Sequence, residues 1–173
     1  MTPDERADLL GRLEAGRQEL LASIEGLCDA DAVVRPAADR WSAIENIEHL
    51  AIVEANLLRN IQEASPIAME PIPRRELAIF ERVKTRTGRV PAPESAQPGG
   101  DCATLAIALG RFDAARHQTV VFIESCDRDL RACSMTHPLL GPMTPVECLF
   151  MLAAHPFRHA EQIRELRSTV SRR

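Results

Sequence analysis

The sequence predicts an all-α fold: a four-helix bundle with a long irregular connection between its second and third helices. Four stretches carry apolar residues at the three- and four-residue spacing of an amphipathic helix. Three of these stretches open on a capping box, in which a Ser or Thr is followed three residues later by Glu. Long amphipathic helices bury their apolar faces against one another, and a bundle is the usual result.

Length and composition are those of one ordinary globular domain, predicted to span residues 1–173. Hydrophobic residues make up 45 % of the chain and charged residues 27 %, which is enough to bury a sizeable core. The net charge of −4, the single Trp and the lack of Tyr disfavour a nucleic-acid-binding surface. No apolar run approaches the roughly 20 residues that a membrane span needs.

The five cysteines and the polar N-terminus bear on the compartment of the protein. The cysteine count is odd and the sequence contains no CxxC, so neither a disulfide framework nor a zinc ribbon is indicated. The first residues carry no signal peptide. Free thiols without an export signal predict a cytoplasmic protein.

The first helix is predicted from Pro3 to about Leu27. Thr2 and Glu5 form its capping box, and proline suits the first helical position because its fixed backbone angle matches the helix. The polar stretch 29–40 that follows is interpreted as a connection.

The second helix begins at the capping box of Ser42 and Glu45. Its apolar arc reaches about Ile61. Glu54 falls inside that arc, and His49 lies at its edge.

Glu54 and Trp41 are the unusual side chains around this helix. A carboxylate in an apolar stripe needs a partner, so Glu54 is a candidate to support a buried polar site. The alternative is that it reaches solvent or pairs with an arginine. Trp41 is interpreted as a packing anchor where the chain enters the bundle rather than as a platform for a ligand.

The connection over residues 65–100 is the least regular part of the chain. It holds six of the twelve prolines, and a short helix is predicted within it from about Arg74 to Thr85. Basic residues cluster there, and they form either a solvated surface or a rim that attracts anions over a pocket. The six are Arg74, Arg75, Arg82, Lys84, Arg86 and Arg89.

The third helix is predicted from Asp101 to about Cys126. Residues 137–143 are rich in turn formers and are interpreted as a loop. Thr144 and Glu147 form the third capping box and open the fourth helix, again with proline at its first position.

The fourth helix carries the most informative spacing, His155-x3-His159. Side chains four apart on a helix point the same way, so two imidazoles at this spacing can hold one metal ion. The alternative is that both are core histidines satisfied by neighbours. Pro156 removes the hydrogen bond to Leu152, and a local distortion there could set the directions of the two rings. Cys148 lies on the same face; it is either a fourth ligand or, as we favour, a small buried side chain.

The chain resembles the DinB-like superfamily, which includes the YfiT-type metal-dependent hydrolases. The resemblance rests on W-S-x-x-E-x-x-x-H over residues 41–49 together with H-x3-H at 155–159, and it covers residues 3–166. It implies a divalent metal bound by His49, His155 and His159, with Glu54 as a supporting catalytic residue. Zinc is the expected metal, and nickel or iron would also suit imidazole ligands.

The resemblance is compatible with more than one reaction. Three imidazoles with an open position are typical of a catalytic zinc site. Relatives include S-transferases that use bacillithiol, mycothiol or glutathione, so we expect a low-molecular-weight thiol and a small-molecule substrate. A metal-dependent hydrolase and a non-catalytic, metal-stabilised stress or binding protein are the alternatives. Relatives are commonly homodimers, and no nucleic-acid or membrane partner is expected.

Overall fold

Most of the residues that the structure describes lie in four long α-helices and two short ones. The structure, a computed structural model, describes residues 1–66, 74–85, 88, 91–137 and 140–170. The helices, in chain order, are α1 (Pro3–Ile24), α2 (Asp29–Ala32), α3 (Ala43–Glu63), α4 (Glu76–Lys84), α5 (Leu105–Ser125) and α6 (Pro145–Val170). In the bundle α1 packs along α6, and α3 packs along α5. The predicted four-helix bundle is therefore confirmed, including the long connection between its second and third long helices.

All three predicted capping boxes are present. In each, the hydroxyl accepts from the glutamate backbone N–H at 3.2 Å, and the glutamate carboxylate accepts in return from the capping residue's N–H. Each box satisfies two backbone donors that the first helical turn would otherwise leave without partners. These contacts explain why the starts of α1, α3 and α6 could be predicted within two residues.

Two predicted helix boundaries were wrong: the end of the first helix by three residues and the start of the third long helix by four. The first helix stops at Ile24 because Gly26 takes a positive φ of 71°, the left-handed conformation that commonly terminates a helix. The third long helix begins at Leu105, not at Asp101. Thr104 caps it, and the backbone N–H of Asp101 is already bound to Glu48.

Residues at both ends of the loop predicted at 137–143 belong instead to a small antiparallel sheet; residue 140 is a turn, and residues 138 and 139 lie outside the described residues. The strands of the sheet are β1 (Ser65–Pro66), β2 (Cys133–His137) and β3 (Gly141–Met143), in the order β1-β2-β3. Met135 pairs with Met143 and His137 with Gly141, whose φ is 72°. Strands this short carry too few residues to show an alternating pattern. The sheet links the end of α3 to the start of α6.

The core divides into two groups of buried apolar side chains. One lies around Leu9, Phe80 and Leu149 and takes in α4, the sheet and parts of all four long helices. The other lies around Ile47 and Phe112 and joins α1, α3 and α5 with the far end of α6. Within the described residues, no helix combines the length and apolar character that crossing a membrane requires. That residues 1–173 form one domain stays a prediction.

The basic cluster near α4 is partly neutralised by carboxylates. Arg74 lies 2.8 Å from a carboxylate oxygen of Glu5, and Arg75 contacts both carboxylate oxygens of Glu147 at 2.8 and 2.9 Å. Neither arginine is therefore free to form the anion-attracting rim considered above. Two further members of the predicted cluster, Arg86 and Arg89, lie outside the described residues.

Candidate metal centre

Three histidines from two helices meet inside the bundle. His49 comes from α3, and His155 and His159 come from successive turns of α6. One ring nitrogen from each lies within 4.8 Å of the others, and the ring centroids are 4.6 to 5.2 Å apart. The structure thus brings together the three residues that the sequence singled out.

The separation of the α6 nitrogens suits a shared metal ion. Nε2 of His155 lies 3.1 Å from Nε2 of His159. Two nitrogens at the usual zinc distance of 2.0–2.1 Å, set at a tetrahedral angle, are about 3.3 Å apart. Neutral imidazoles also suit nickel, copper and iron. The two donors of α6 therefore fit a shared divalent transition metal without rearrangement of that helix.

A backbone carbonyl orients His49. Its Nδ1 lies 2.6 Å from the carbonyl oxygen of Ala96, and the ring is 5 % exposed. A carbonyl oxygen can only accept a hydrogen bond, so Nδ1 carries the proton and Nε2 of the neutral ring keeps its lone pair. That lone pair is the one a metal would use.

A buried amide orients His159 in the same way. Nδ1 of His159 lies 2.8 Å from Oδ1 of Asn46, and Nδ2 of Asn46 donates to the carbonyl of Ser42 at 2.8 Å. Because that carbonyl can only accept, it fixes which end of the amide faces His159. Nδ1 of His159 is therefore the donor, and its Nε2 faces His155.

Neither orienting group was predicted from the sequence. Asn46 could have been identified from the sequence, because it lies three residues before His49 on α3 and is a polar side chain beside an apolar arc. Ala96 could not have been identified in this way, because its backbone carbonyl, not its side chain, makes the contact.

Electrostatics keep two of the histidines neutral. Burial lowers the pKa of His49, although the Ala96 carbonyl opposes the shift. The pKa of His155 lies well below its usual value, first because of burial and then because the basic groups of His49, Arg158 and His137 disfavour a further proton on its ring. Neutral imidazole is the form that binds metal. Of the three histidines, His155 alone keeps part of its residue surface exposed.

Trp41 forms one wall of the centre. Its ring centroid is 4.7 Å from that of His49 and 6.4 Å from that of His159. It packs where the chain enters the bundle, as expected, but it packs on the histidine rings themselves.

Glu54 does not join the histidines. It is 2 % exposed, and its two carboxylate oxygens each lie 2.9 Å from a guanidinium nitrogen of Arg116 on α5. The structure thus shows the arginine pairing considered as an alternative. A catalytic role for Glu54 stays a prediction, and it would have to operate through this ion pair.

Pro156 is accommodated by two neighbours. Leu152 loses its helical donor to the proline, and its carbonyl instead accepts from Arg116 at 3.4 Å. On the α1 side, Gly16 approaches so closely that a Cβ there would lie 2.7 Å from the carbonyl oxygen of Ala153. Helix α6 therefore continues through Pro156 with the surrounding structure shaped to it.

Cys148 and His137 lie outside the group of three. Cys148 is fully buried in the apolar core, and its pKa is raised by burial and then by Glu54. A protonated, buried thiol agrees with the interpretation of Cys148 as a small core side chain. His137 ends β2, and its Nδ1 accepts from the backbone N–H of Leu140 at 3.2 Å.

The sequence of this chain is similar to those of known proteins. A family model of the DinB superfamily matches residues 12–163. The uncharacterized protein YuaE of Bacillus subtilis (strain 168) is 24 % identical over 156 residues, which cover 90 % of this chain and 95 % of YuaE.

Two solved structures share the fold. YfiT from Bacillus subtilis, described as a probable metal-dependent hydrolase with an unusual four-helix bundle topology, aligns with a TM-score of 0.61 at 16 % identity; the match covers 99 % of this chain and 90 % of YfiT. The four-helix bundle protein TT2238 aligns with a TM-score of 0.57 at 19 % identity, covering 94 % and 98 % of the two chains.

Proposed function

This chain belongs to the DinB superfamily, and from that premise we propose that it is an enzyme that binds one divalent metal ion on His49, His155 and His159. The observation that carries the proposal is the orientation of the rings. Two of the three have Nδ1 committed to a buried acceptor, which leaves Nε2 for a metal. The unprotonated Nε2 of a neutral imidazole is the atom that binds a metal ion.

Zinc is the proposed metal, with nickel or iron as substitutes. When bound by three imidazoles, it supplies a Lewis acid with an open coordination position, which lowers the pKa of a thiol or a water molecule there. The protein holds the ligands, and Trp41 shields one side of them from solvent. His155, which keeps part of its residue surface exposed, marks the side from which a small molecule would enter.

We propose S-transfer from a low-molecular-weight thiol as the reaction. The thiol loses its proton to solvent, its sulfur forms a bond to an electrophilic carbon, and the leaving group departs with its electron pair. Such chemistry needs no general base from the protein once the thiol is ionised.

Three buried carboxylates of α3 support this choice. Glu45 accepts from the N–H of Ser42 and pairs with Arg35, Glu48 binds three backbone N–H groups, and Glu54 pairs with Arg116. None of the three is therefore available as a general base beside His49, and general-base activation of water is an expected feature of metal-dependent hydrolysis.

Metal-dependent hydrolysis is the second candidate. The likeness to YfiT favours it, since that protein is described as a probable metal-dependent hydrolase. Turnover of an ester or amide by the metal-loaded protein without any thiol would decide for hydrolysis. Turnover that requires a thiol would decide for S-transfer.

Metal content measured by mass spectrometry tests the shared premise. The protein is purified without a histidine tag, beside His49→Ala and His155→Ala. His117→Ala is the matched control, because His117 is exposed on α5 away from the centre. We expect about one equivalent of metal in the wild type and in the control, and its loss in the other two variants. A wild type that takes up no zinc, nickel or iron would overturn the proposal.

A further inference from the structure

A buried carboxylate next to His49 holds the loop that leads into α5. Glu48 is 2 % exposed. Its oxygens accept from the backbone N–H groups of Gly99, Gly100 and Asp101, each at 3.2 Å. A buried charge needs such donors, and three successive amides that face one carboxylate fix the path of this segment.

The same loop carries the carbonyl that orients His49. Ala96 lies three residues before the first of the bound amides, and its carbonyl accepts from Nδ1 of His49 at 2.6 Å. On the other side, Asn56 donates to the carbonyl of Ser95 at 3.0 Å. Helix α3 thus contacts the loop on both sides of Ala96; the contact of Asn56 is exposed and those of Glu48 are partly buried.

Two glycines give the loop the backbone conformation that its contact with Glu48 requires. Gly100 takes a φ of 79°, a conformation that L side chains rarely adopt. A Cβ at Gly99 would lie 3.1 Å from a carboxylate oxygen of Asp101 and 3.7 Å from Glu48. The two glycines allow the amides to turn together toward the carboxylate.

We infer that Glu48 is a positioning residue for His49. By fixing the loop it places the Ala96 carbonyl against Nδ1, and that carbonyl holds the proton there and leaves Nε2 for the metal. With the loop released, His49 can carry its proton on either nitrogen, and the form protonated at Nε2 cannot bind. The inference rests on the proposed metal site.

Glu48→Gln tests this with little change in size. The glutamine offers one acceptor oxygen and presents an amide N–H₂ to backbone donors. Nitrogen chemical shifts of His49 in the metal-free protein report the tautomer, and competition with a chromophoric chelator reports zinc affinity. We expect one Nδ1-protonated form in the wild type, a mixture in the variant, and zinc affinity lower by about tenfold, the lower end of the effect seen for groups that orient metal ligands.

Glu147→Gln is the matched control. Glu147 is equally buried, caps α6 and pairs with Arg75, but it does not touch the loop. We expect it to lower the melting temperature and to leave the tautomer and the zinc affinity unchanged. A Glu48→Gln variant with the wild-type tautomer and wild-type zinc affinity would overturn the inference.

Gly100→Ala strains the loop while Glu48 stays intact. It provides a second test of the inference if Glu48→Gln does not fold. We expect it to shift the His49 tautomer in the same direction, because its φ disfavours a side chain. An unchanged tautomer would count against the role of the loop. The tautomer of His49 is measured in the metal-free protein. A wild type that binds no zinc would therefore refute the proposed function, and the His49 tautomers of the wild type and the two variants would still decide the role of Glu48.

Discussion

The guanidinium of Arg116 lies 3.4 Å from the carbonyl oxygen of Leu152, the backbone acceptor that Pro156 leaves without its helical donor. The same guanidinium donates to the carbonyl of Leu13 at 2.8 Å and pairs with Glu54. One side chain on α5 therefore contacts α1, α3 and α6. A proline inside a helix costs on the order of 3 kcal/mol, and this contact offsets part of that cost about one turn before His155.

Arg116→Met should destabilise the protein strongly. The substitution leaves Glu54 as an unpaired buried carboxylate, and breaking a buried ion pair in this way typically costs about 3–5 kcal/mol. Urea unfolding measures the loss. The double variant Arg116→Met/Glu54→Leu should recover much of it, because no charge is then left buried. Equal stabilities for wild type and Arg116→Met would contradict the assigned role.

Gly16→Ala should also destabilise, through the close approach of α1 to α6. A Cβ at Gly16 would lie 2.7 Å from a backbone oxygen that cannot move aside easily, and overpacking of this kind costs about 1–3 kcal/mol. Gly11→Ala on the same helix is the control, since nothing lies within 4 Å of its Cβ position. That change should stabilise α1 by about 0.5–1 kcal/mol. Equal shifts in melting temperature for the two variants would refute the prediction.

How much of this could be predicted from the sequence depends on how far apart the contacting residues lie. The capping boxes span four residues, so the starts of α1, α3 and α6 were visible. The histidine pair on α6 was visible for the same reason, and His49 joined it through the resemblance of two motifs. The contacts of Ala96 with His49 and of Asn46 with His159 join residues 47 and 113 positions apart, and spacing along one helix carries no information about them. The partner of Glu54 was likewise predicted as a residue type, not as Arg116.

Asn46→Ala should weaken metal binding and leave the fold intact. Without the amide oxygen, Nδ1 of His159 loses its acceptor, and loss of such an orienting group typically lowers metal affinity about 10- to 100-fold. Asn46→Asp keeps an acceptor in place and should bind zinc at least as tightly as the wild type. Asn60→Ala is the control, because Asn60 is exposed on the same helix. Zinc titrations against a chelator measure all three; wild-type affinity in Asn46→Ala would rule out the orienting role.

Trp41 should report metal binding directly. It is the sole tryptophan of the chain, and its ring centroid is 4.7 Å from that of His49. A nickel or cobalt ion on the three histidines would lie close enough to quench its fluorescence. We expect quenching that saturates at about one equivalent, as one site of three imidazoles requires, and that is lost in His155→Ala. Quenching that persists unchanged in that variant would place the metal elsewhere.

The stability of the metal-free protein should fall as the pH drops below about 6.5, the usual pKa of histidine. His49 and His155 both have lowered pKa values in the folded state. Below about 6.5 the unfolded chain therefore takes up protons that the folded protein excludes, which favours unfolding by up to about 1.4 kcal/mol per pH unit for each histidine. Above that pH both states are neutral and the effect vanishes. Urea unfolding with a chelator between pH 8 and 5.5 measures the slope. His155→Gln should flatten it, whereas parallel curves for wild type and His155→Gln would show that His155 titrates as it does in the unfolded chain.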